Sequence, residues 1–252
     1  MSDDRIAGAS HRFLTYNIHH AQGAGGLISI GRVSRAIAGA HPDVVAINEA
    51  YRWRGLFDQP ASIGASLGMD SAFQANIVIG PTEYGNAVLA REAPLLVADI
   101  RLAKRREGRG LLIVEIDAPG ARFRVATTHL SLHRRTRAAQ IEQLAAVLPL
   151  DLPLVLMGDL NCGGAELAPL RRILTAPDET PPTFPSLRPS LRVDHVMFSR
   201  HWRLLGIATV RTLASDHLPL YADLELRQGA AAAPSSGAPW SRGSRTRRRT
   251  LS

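Results

Sequence analysis

Leu154-Val155-Leu156-Met157-Gly158-Asp159-Leu160-Asn161 is an unbroken apolar run that meets a glycine and then turns polar. Four consecutive apolar residues bounded by a glycine read as a strand. Asp159 and Asn161 stand just beyond it, where a core would not choose them. The same arrangement recurs in both directions along the chain. Phe13-Leu14-Thr15-Tyr16 runs into Asn17, and Val44-Val45-Ala46-Ile47 into Asn48-Glu49. Phe123-Arg124-Val125-Ala126-Thr127-Thr128 runs into His129. Later, Arg192-Val193 leads to Asp194-His195, and Ala214-Ser215 to Asp216-His217. In α/β sheets, sites form at the strand ends, so these polar residues are expected to converge.

Around them, strands are expected over Phe13–Ile18, Val44–Ile47, Phe73–Ile79, Ala87–Ala90, Leu95–Leu102, Leu111–Ile116, Phe123–Thr127, Leu154–Met157, Arg192–Phe198, Arg203–Val210 and Leu218–Leu226. Helices are expected over Ile30–Ala40, Asp58–Leu67, Arg134–Leu148 and Ala165–Leu174. Ile30, Val33 and Ile37 share one face of the first. Ile141, Leu144, Val147 and Leu148 share one face of the third. So many strands and so few helices in one region imply two packed sheets with helices outside. The glycine- and proline-rich stretches near Gly23–Gly26 and Thr175–Pro189 read as loops around a site.

The 252 residues suffice for a large core, and 45% hydrophobic with 21% charged residues describes an ordinary globular chain. One cysteine, Cys162, excludes an intrachain disulfide framework and a cysteine-based zinc site. No apolar run approaches the roughly 20 residues that span a bilayer. The first residues, Met1-Ser2-Asp3-Asp4-Arg5, do not resemble a secretory signal, so a cytoplasmic location is expected. The net charge is +8, and all basic residues except Lys104 are arginine. Residues 229–252 carry five arginines and no acid, leaving +3 for the rest. That tail reads as a solvated basic extension, and residues 1–10 as a flexible start. The domain proper is expected over 11–228. Its mild positive charge suits polyanions, nucleic acid first and anionic lipid second.

If the strand ends converge, the site holds Asn17, Glu49, His129, Asp159, Asn161, Asp194, Asp216 and His217. Hard oxygen ligands suit Mg²⁺ or Mn²⁺ better than zinc or copper. Several carboxylates in one cleft repel unless a cation holds them. Imidazoles beside such a site suit activation of water and stabilisation of phosphate oxygens. The chemistry this supports is metal-assisted hydrolysis of a phosphoester. Taken singly, each residue is equally a turn former, a helix cap or a surface group.

Read together, Thr15-Tyr16-Asn17-Ile18-His19, Ile47-Asn48-Glu49, Gly85–Arg91, Thr128-His129-Leu130, Gly158–Asn161, Val193–Val196 and Ser215–Pro219 resemble the DNase-I-like endonuclease/exonuclease/phosphatase superfamily. The resemblance implies a four-layer α/β sandwich, two mixed sheets face to face with helices on both outer sides. It implies that Glu49 is the principal metal-binding acid, with Asn17 and Asp216 beside it. It implies that Asp159 and Asn161 orient the nucleophile and contact the scissile phosphate. His217 becomes the general base or a phosphate contact, oriented by Asp194, and His129 lies near the phosphate and leaving group. Arg109 and Asn86 are candidate substrate contacts. Tyr51 and Tyr84 are candidates for a phosphate-contacting tyrosine. His19, His20, His133 and His195 read as structural or peripheral.

The expected activity is that of a Mg²⁺- or Mn²⁺-dependent phosphodiesterase, a nuclease of loose specificity in the leading case. A lipid-headgroup phosphodiesterase or phosphatase is the alternative, favoured if Tyr51-Arg52-Trp53-Arg54-Gly55-Leu56-Phe57 forms an exposed apolar lip rather than a buried segment. A catalytically silent nucleic-acid-binding module is the third reading, opposed by the complete set of polar positions.

Overall fold

The computed structural model describes residues 9–227. The arginine-rich tail and all but the last two residues of the expected flexible start lie outside them. Ser10 already belongs to a strand, so the fold begins slightly before the expected boundary.

The beginning and the end of the described chain together build a seven-stranded sheet. Its members are β1 (Ser10–Asn17), β2 (Val44–Trp53), the two-residue β3 (Phe57–Asp58), β4 (Asp70–Ile79), β5 (Thr82–Ala90), β11 (Trp202–Thr209) and β12 (Leu220–Leu226), in the order β11-β12-β1-β2-β5-β4 with β3 on β2. The second sheet has five strands: β6 (Leu95–Arg101), β7 (Gly110–Ala118), β8 (Ala121–His129), β9 (Leu154–Asp159) and β10 (Asp194–Phe198), ordered β10-β9-β8-β7-β6. Each sheet contains one parallel pair, β1 with β2 and β8 with β9, joined by a crossover helix. These helices are α1 (Ile30–Ala38) and α3 (Arg134–Val147); α2 (Gln59–Leu67) lies between β3 and β4. The parallel pairs place Asn17 opposite Asn48 in one sheet and His129 opposite Asp159 in the other. Asn17, His129 and Asp159 end their strands, and Asn48 stands where β2 becomes irregular before continuing to Trp53. Such sheets hold their sites at carboxyl ends of strands.

Alternation along the strands makes three apolar layers. Phe13, Val44, Ala46, Phe123, Val125, Val155 and Met157 fill the space between the sheets. Leu14, Tyr16, Val45 and Ile47 face outward onto α1 and α2 with Val33, Ile37 and Ile63. Leu154, Leu156 and Leu130 face outward onto α3 with Ile141 and Leu144. Both faces of each central strand are therefore buried, which is why the sequence shows unbroken apolar runs there. The result is the expected four-layer sandwich.

Two expectations need correction. The helix expected over Ala165–Leu174 is a 3₁₀ turn, Gly164–Leu167, followed by the single α turn α4, Ala168–Arg171. Pro169 starts the α turn, as proline does at the first positions of a helix. On α3, Val147 is exposed, and the buried face includes Arg137 and Gln140. Hydrogen bonds explain that exchange: Arg137 is clamped by Glu166, and Gln140 accepts from Ser131 N and donates to Ala103 O. Buried polar side chains are tolerated when so paired, and apolar periodicity does not reveal them.

Candidate active site

Backbone irregularities aim the polar residues. Between Ile47 and Ala50, β2 carries one more residue than its partner β5, and Glu49 sits in this bulge at φ 58°. A bulge re-aims side chains, and here it releases Glu49 from the sheet's alternation. Gly158 has φ 148°, and a Cβ there would lie 1.9 Å from Thr128 O. Only glycine permits that approach of β9 to β8. It thereby keeps Asp159 in register with His129.

Asp159 is the meeting point. Its Oδ2 lies 3.1 Å from Asn17 Nδ2, 3.5 Å from His129 Nε2 and 3.8 Å from His217 Nε2. Asn17 Nδ2 also donates to Glu49 Oε1 at 3.0 Å. Asp159 Oδ1 accepts from the backbone N of Asn161 at 2.9 Å, and Asn161 Nδ2 donates to Leu130 O at 3.0 Å. Burial pushes the Asp159 carboxyl well up, reinforced by the charge of Asp194.

The two histidines have opposite surroundings. His217 Nδ1 donates to Asp194 Oδ2 at 2.8 Å, and the same oxygen accepts from Thr183 Oγ1 at 2.5 Å. Burial alone would lower the His217 pKa, but Asp194, Asp159 and Asp216 override it and raise it to about 9. Phe184 packs on the ring, centroids 4.8 Å apart. At His129, by contrast, Arg109 Nη1 approaches Nδ1 at 3.0 Å. A guanidinium only donates, so Nδ1 is the acceptor and the ring proton sits on Nε2, toward Asp159. Burial first, then Arg109, lowers the His129 pKa to about 3.

Asn17, Glu49, His129, Asp159, Asn161, Asp194, Asp216, His217 and Arg109 thus gather at one end of the two sheets. Asn86 does not join them at the surface. It is fully buried, donating to Gly110 O and Gln74 Oε1 and accepting from Asn48 Nδ2. His195 Nε2 donates to Cys162 O, and His133 caps α3.

Other side chains complete the arrangement. Asn48 Oδ1 accepts from Asp159 N at 2.9 Å while its Nδ2 holds Asn86, a polar bridge between the sheets. Ser215 Oγ donates to Asn17 O, tying the Asp216–His217 loop to β1. Tyr84 stands beside Glu49, its phenol pKa raised by burial and then by that carboxylate. The turn after β1 brings His19 Nδ1 to 3.6 Å from Asp216 Oδ1 and His20 Nε2 to 4.0 Å from Glu49 Oε2. A sequence signal for Asn48 existed, since it ends an apolar strand beside Glu49. Tyr84 is one of the two candidate tyrosines, and Thr183 lies in the Thr175–Pro189 stretch expected around the site.

The donor set fits a divalent cation. Ligand atoms of His19, His20 and Glu49 form one group, and those of Asp159, Asp194 and His217 another, each within 4.8 Å. Asp194 Oδ1 is buried without a hydrogen-bond partner. Unpaired buried oxygen beside crowded carboxylates is the surplus negative charge that a cation would balance.

Two mixed sheets under helices, with carboxylates, amides and imidazoles at one end, define a phosphoesterase of the DNase-I-like class. The chain belongs to the Endonuclease/Exonuclease/phosphatase family, whose model matches residues 14–217. It is similar to an endonuclease/exonuclease/phosphatase from Beutenbergia cavernae, with 24% identity, 89% of this chain and 73% of that one covered, and a TM-score of 0.74. Similarity extends to the catalytic domain of human Nocturnin with bound sulfate, at 20% identity, 90% and 96% coverage and TM-score 0.64. D. rerio TDP2 complexed with single-strand DNA product gives 15% identity, 86% and 99% coverage and the same TM-score, 0.64. No curated protein sequence matches the chain. The family is generally dependent on divalent metal, and the two donor groups are this chain's candidates.

Proposed function

We propose that residues 11–228 form a phosphodiesterase that uses Mg²⁺ or Mn²⁺ and cleaves a nucleic-acid backbone. The observation that carries it is the convergence of His129 Nε2, His217 Nε2 and Asn17 Nδ2 on Asp159 Oδ2, with Glu49 alongside. Asn17, Glu49 and Asp216 would hold the cation. When bound, it supplies positive charge and Lewis acidity for a phosphate oxygen. Asp159, buried and raised in pKa, orients the attacking water with Asn161. His217, held by Asp194, offers a charged N–H to phosphate. His129, neutral, offers an N–H that carries no charge. Arg109 contacts phosphate from the same corner, and Asn86 supports the strands beneath rather than touching substrate.

Charge around the His129 corner supports a polyanionic substrate. Lys104, Arg105 and Arg106 are exposed on the loop leading to Arg109, and Arg134 and Arg135 are exposed where α3 begins. Gln140 of α3 donates to Ala103 O at 2.6 Å, so these cationic segments adjoin. The test is a panel of plasmid, single-stranded DNA, RNA and a generic phosphodiester, each with Mg²⁺, Mn²⁺ or EDTA. Cleavage of nucleic acid that needs the ion, falls steeply with salt and is lost in Glu49→Ala is expected. Full activity in EDTA, or in Glu49→Ala, would overturn the reading.

One observation favours lipid-headgroup hydrolysis as a second reading. Trp53 and Leu56 in the segment after Glu49 are 42% and 77% exposed, and Ile79 at the end of β4 is 72% exposed, an apolar surface of the kind a membrane enzyme would carry. Arg54 N bonded to Pro81 O joins its two hairpins. Among the described residues no helix is long and apolar enough to cross a membrane. Sphingomyelin and phosphoinositide vesicles in the same panel distinguish the readings: turnover of these alone would displace the nuclease.

A further inference from the structure

His19, His20 and Ala21 follow one another at φ 44°, 55° and 65°. L-residues resist the left-handed region, and glycine or asparagine would adopt it more readily. The turn is nevertheless held firmly. His19 N donates to Asn17 Oδ1 at 3.1 Å, and buried Gln59 donates its Nε2 to His20 O at 2.7 Å. Both imidazoles stay accessible, with side chains 40% and 42% exposed, so neither is there to fill a core. Each directs a ring nitrogen at a carboxylate of the site, His19 at Asp216 and His20 at Glu49. The His20 ring is also fixed against Tyr84, centroids 4.7 Å apart. Strain retained at a functional edge calls for a reason in the side chains.

We propose that His19 and His20 are ligands of the cation held by Glu49 and Asp216, and that their nitrogens make this site prefer a borderline first-row ion, Zn²⁺ or Co²⁺, over Mg²⁺. The inference rests on the metal-dependent reading and deepens it by naming the ion class. The ligand atoms of His19, His20 and Glu49 lie within 4.8 Å of one another. A cation with bonds of about 2.1 Å draws such atoms closer, within reach of side-chain rotation. Imidazole suits Zn²⁺ and its neighbours, whereas Mg²⁺ takes oxygen and keeps its water. An oxygen-only site of Asn17, Glu49 and Asp216 would have a weaker bias of this kind.

The experiment is direct metal binding by the full chain after chelation, with Co²⁺ absorption, Mn²⁺ electron spin echo and calorimetry with Zn²⁺ and Mg²⁺. The variants are His19→Asn with His20→Asn, asparagine being tolerant of the left-handed turn, and Glu49→Gln. Wild type should bind Zn²⁺ at least tenfold more tightly than Mg²⁺ and show nitrogen coupling to Mn²⁺. The double asparagine variant should lose that coupling and at least tenfold in Zn²⁺ affinity, with Mg²⁺ affinity changed less than twofold. Glu49→Gln should weaken both ions. Retained coupling and Zn²⁺ affinity in the double variant, with Glu49→Gln still defective, would overturn this inference and leave the metal-dependent reading standing. Wild type that binds no ion would overturn both.

Discussion

His129 and His217 point the same ring atom, Nε2, at the same oxygen of Asp159, from 3.5 and 3.8 Å. Their other nitrogens meet opposite partners. Asp194 accepts from His217, and Arg109 donates to His129. Burial lowers both pKa values, yet His217 is raised to about 9 and His129 falls to about 3. Chemical identity therefore does not set the role of an imidazole; its second hydrogen bond does. One corner holds a charged donor, the other a neutral donor backed by a separate fixed charge, and in the proposed reaction both would face phosphate.

The sharpest way to break this contrast is at the Asp194 corner. Asp194→Asn keeps the shape but leaves an imidazolium unsupported, so turnover should fall by about 10²–10⁴-fold. His217→Ala should cost at least as much. The double variant should lose little more than either single, because the two act as one unit. Kinetics on whichever phosphodiester the panel identifies checks this. Strictly additive losses would mean that Asp194 and His217 work independently.

The contrast also predicts opposite pH dependence of stability without metal. His217 is raised from 6.5 to about 9, so its contribution is complete below pH 6.5 and disappears as pH rises toward 9. Its size is about 3 kcal/mol. His129 is lowered from 6.5 to about 3, so stability is lost as pH falls from 6.5 toward 3. Urea midpoints in EDTA should therefore show His217→Ala flattening the alkaline side and His129→Ala the acidic side. The same limb flattening in both would dissolve the distinction. In Asp194→Asn, the NMR titration of His217 should drop by several pH units, because burial then acts with less opposition.

Much of this contrast was visible in the sequence, but not its polarity. Polar residues after apolar strands marked Asn17, Glu49, His129 and Asp159 because burial on both faces makes those strands continuous. Two packed sheets with helices outside followed from the number of strands and helices, and the four-layer order from the family resemblance. What escaped was partnership across long separations. Arg109 reads as a candidate substrate contact, but that its partner is His129, 20 residues further on, is set only by folding. Asn86 reads as a substrate contact in a glycine-flanked segment, yet pairing with Asn48 and Gly110 takes it out of reach. Val147 and Gln140 exchanged places for the same reason: hydrogen bonds between distant segments leave no periodic trace.

A smaller change tests the Arg109 side. Arg109→Met removes the donor to His129 Nδ1 and the proposed phosphate contact while keeping much of the apolar stem. We expect roughly tenfold to a hundredfold lower kcat/KM, with the tautomer of His129 no longer fixed. Nitrogen-15 chemical shifts of the ring report this directly: wild type should show the proton on Nε2, and the variant a mixture. An unchanged tautomer would show that burial and Asp159 suffice.

Thr183→Val is the mildest test, because it leaves both histidines and both charged partners in place. Thr183 Oγ1 donates to Asp194 Oδ2 at 2.5 Å, the same oxygen that receives His217 Nδ1–H. Losing one hydrogen bond to a buried charged group costs about 1.5–3 kcal/mol. Asp194 keeps its charge, so the loss should fall more on its position than on support of an imidazolium. Turnover should therefore drop about threefold to tenfold, far less than in Asp194→Asn, and Thr183→Ser should restore most of it. The His217 pKa should move slightly upward, since a carboxylate with one fewer donor draws the imidazolium proton more strongly. A downward shift as large as that of Asp194→Asn would mean that Thr183 holds Asp194 in place altogether. The contrast between the two corners would then rest on this hydroxyl as much as on the carboxylate.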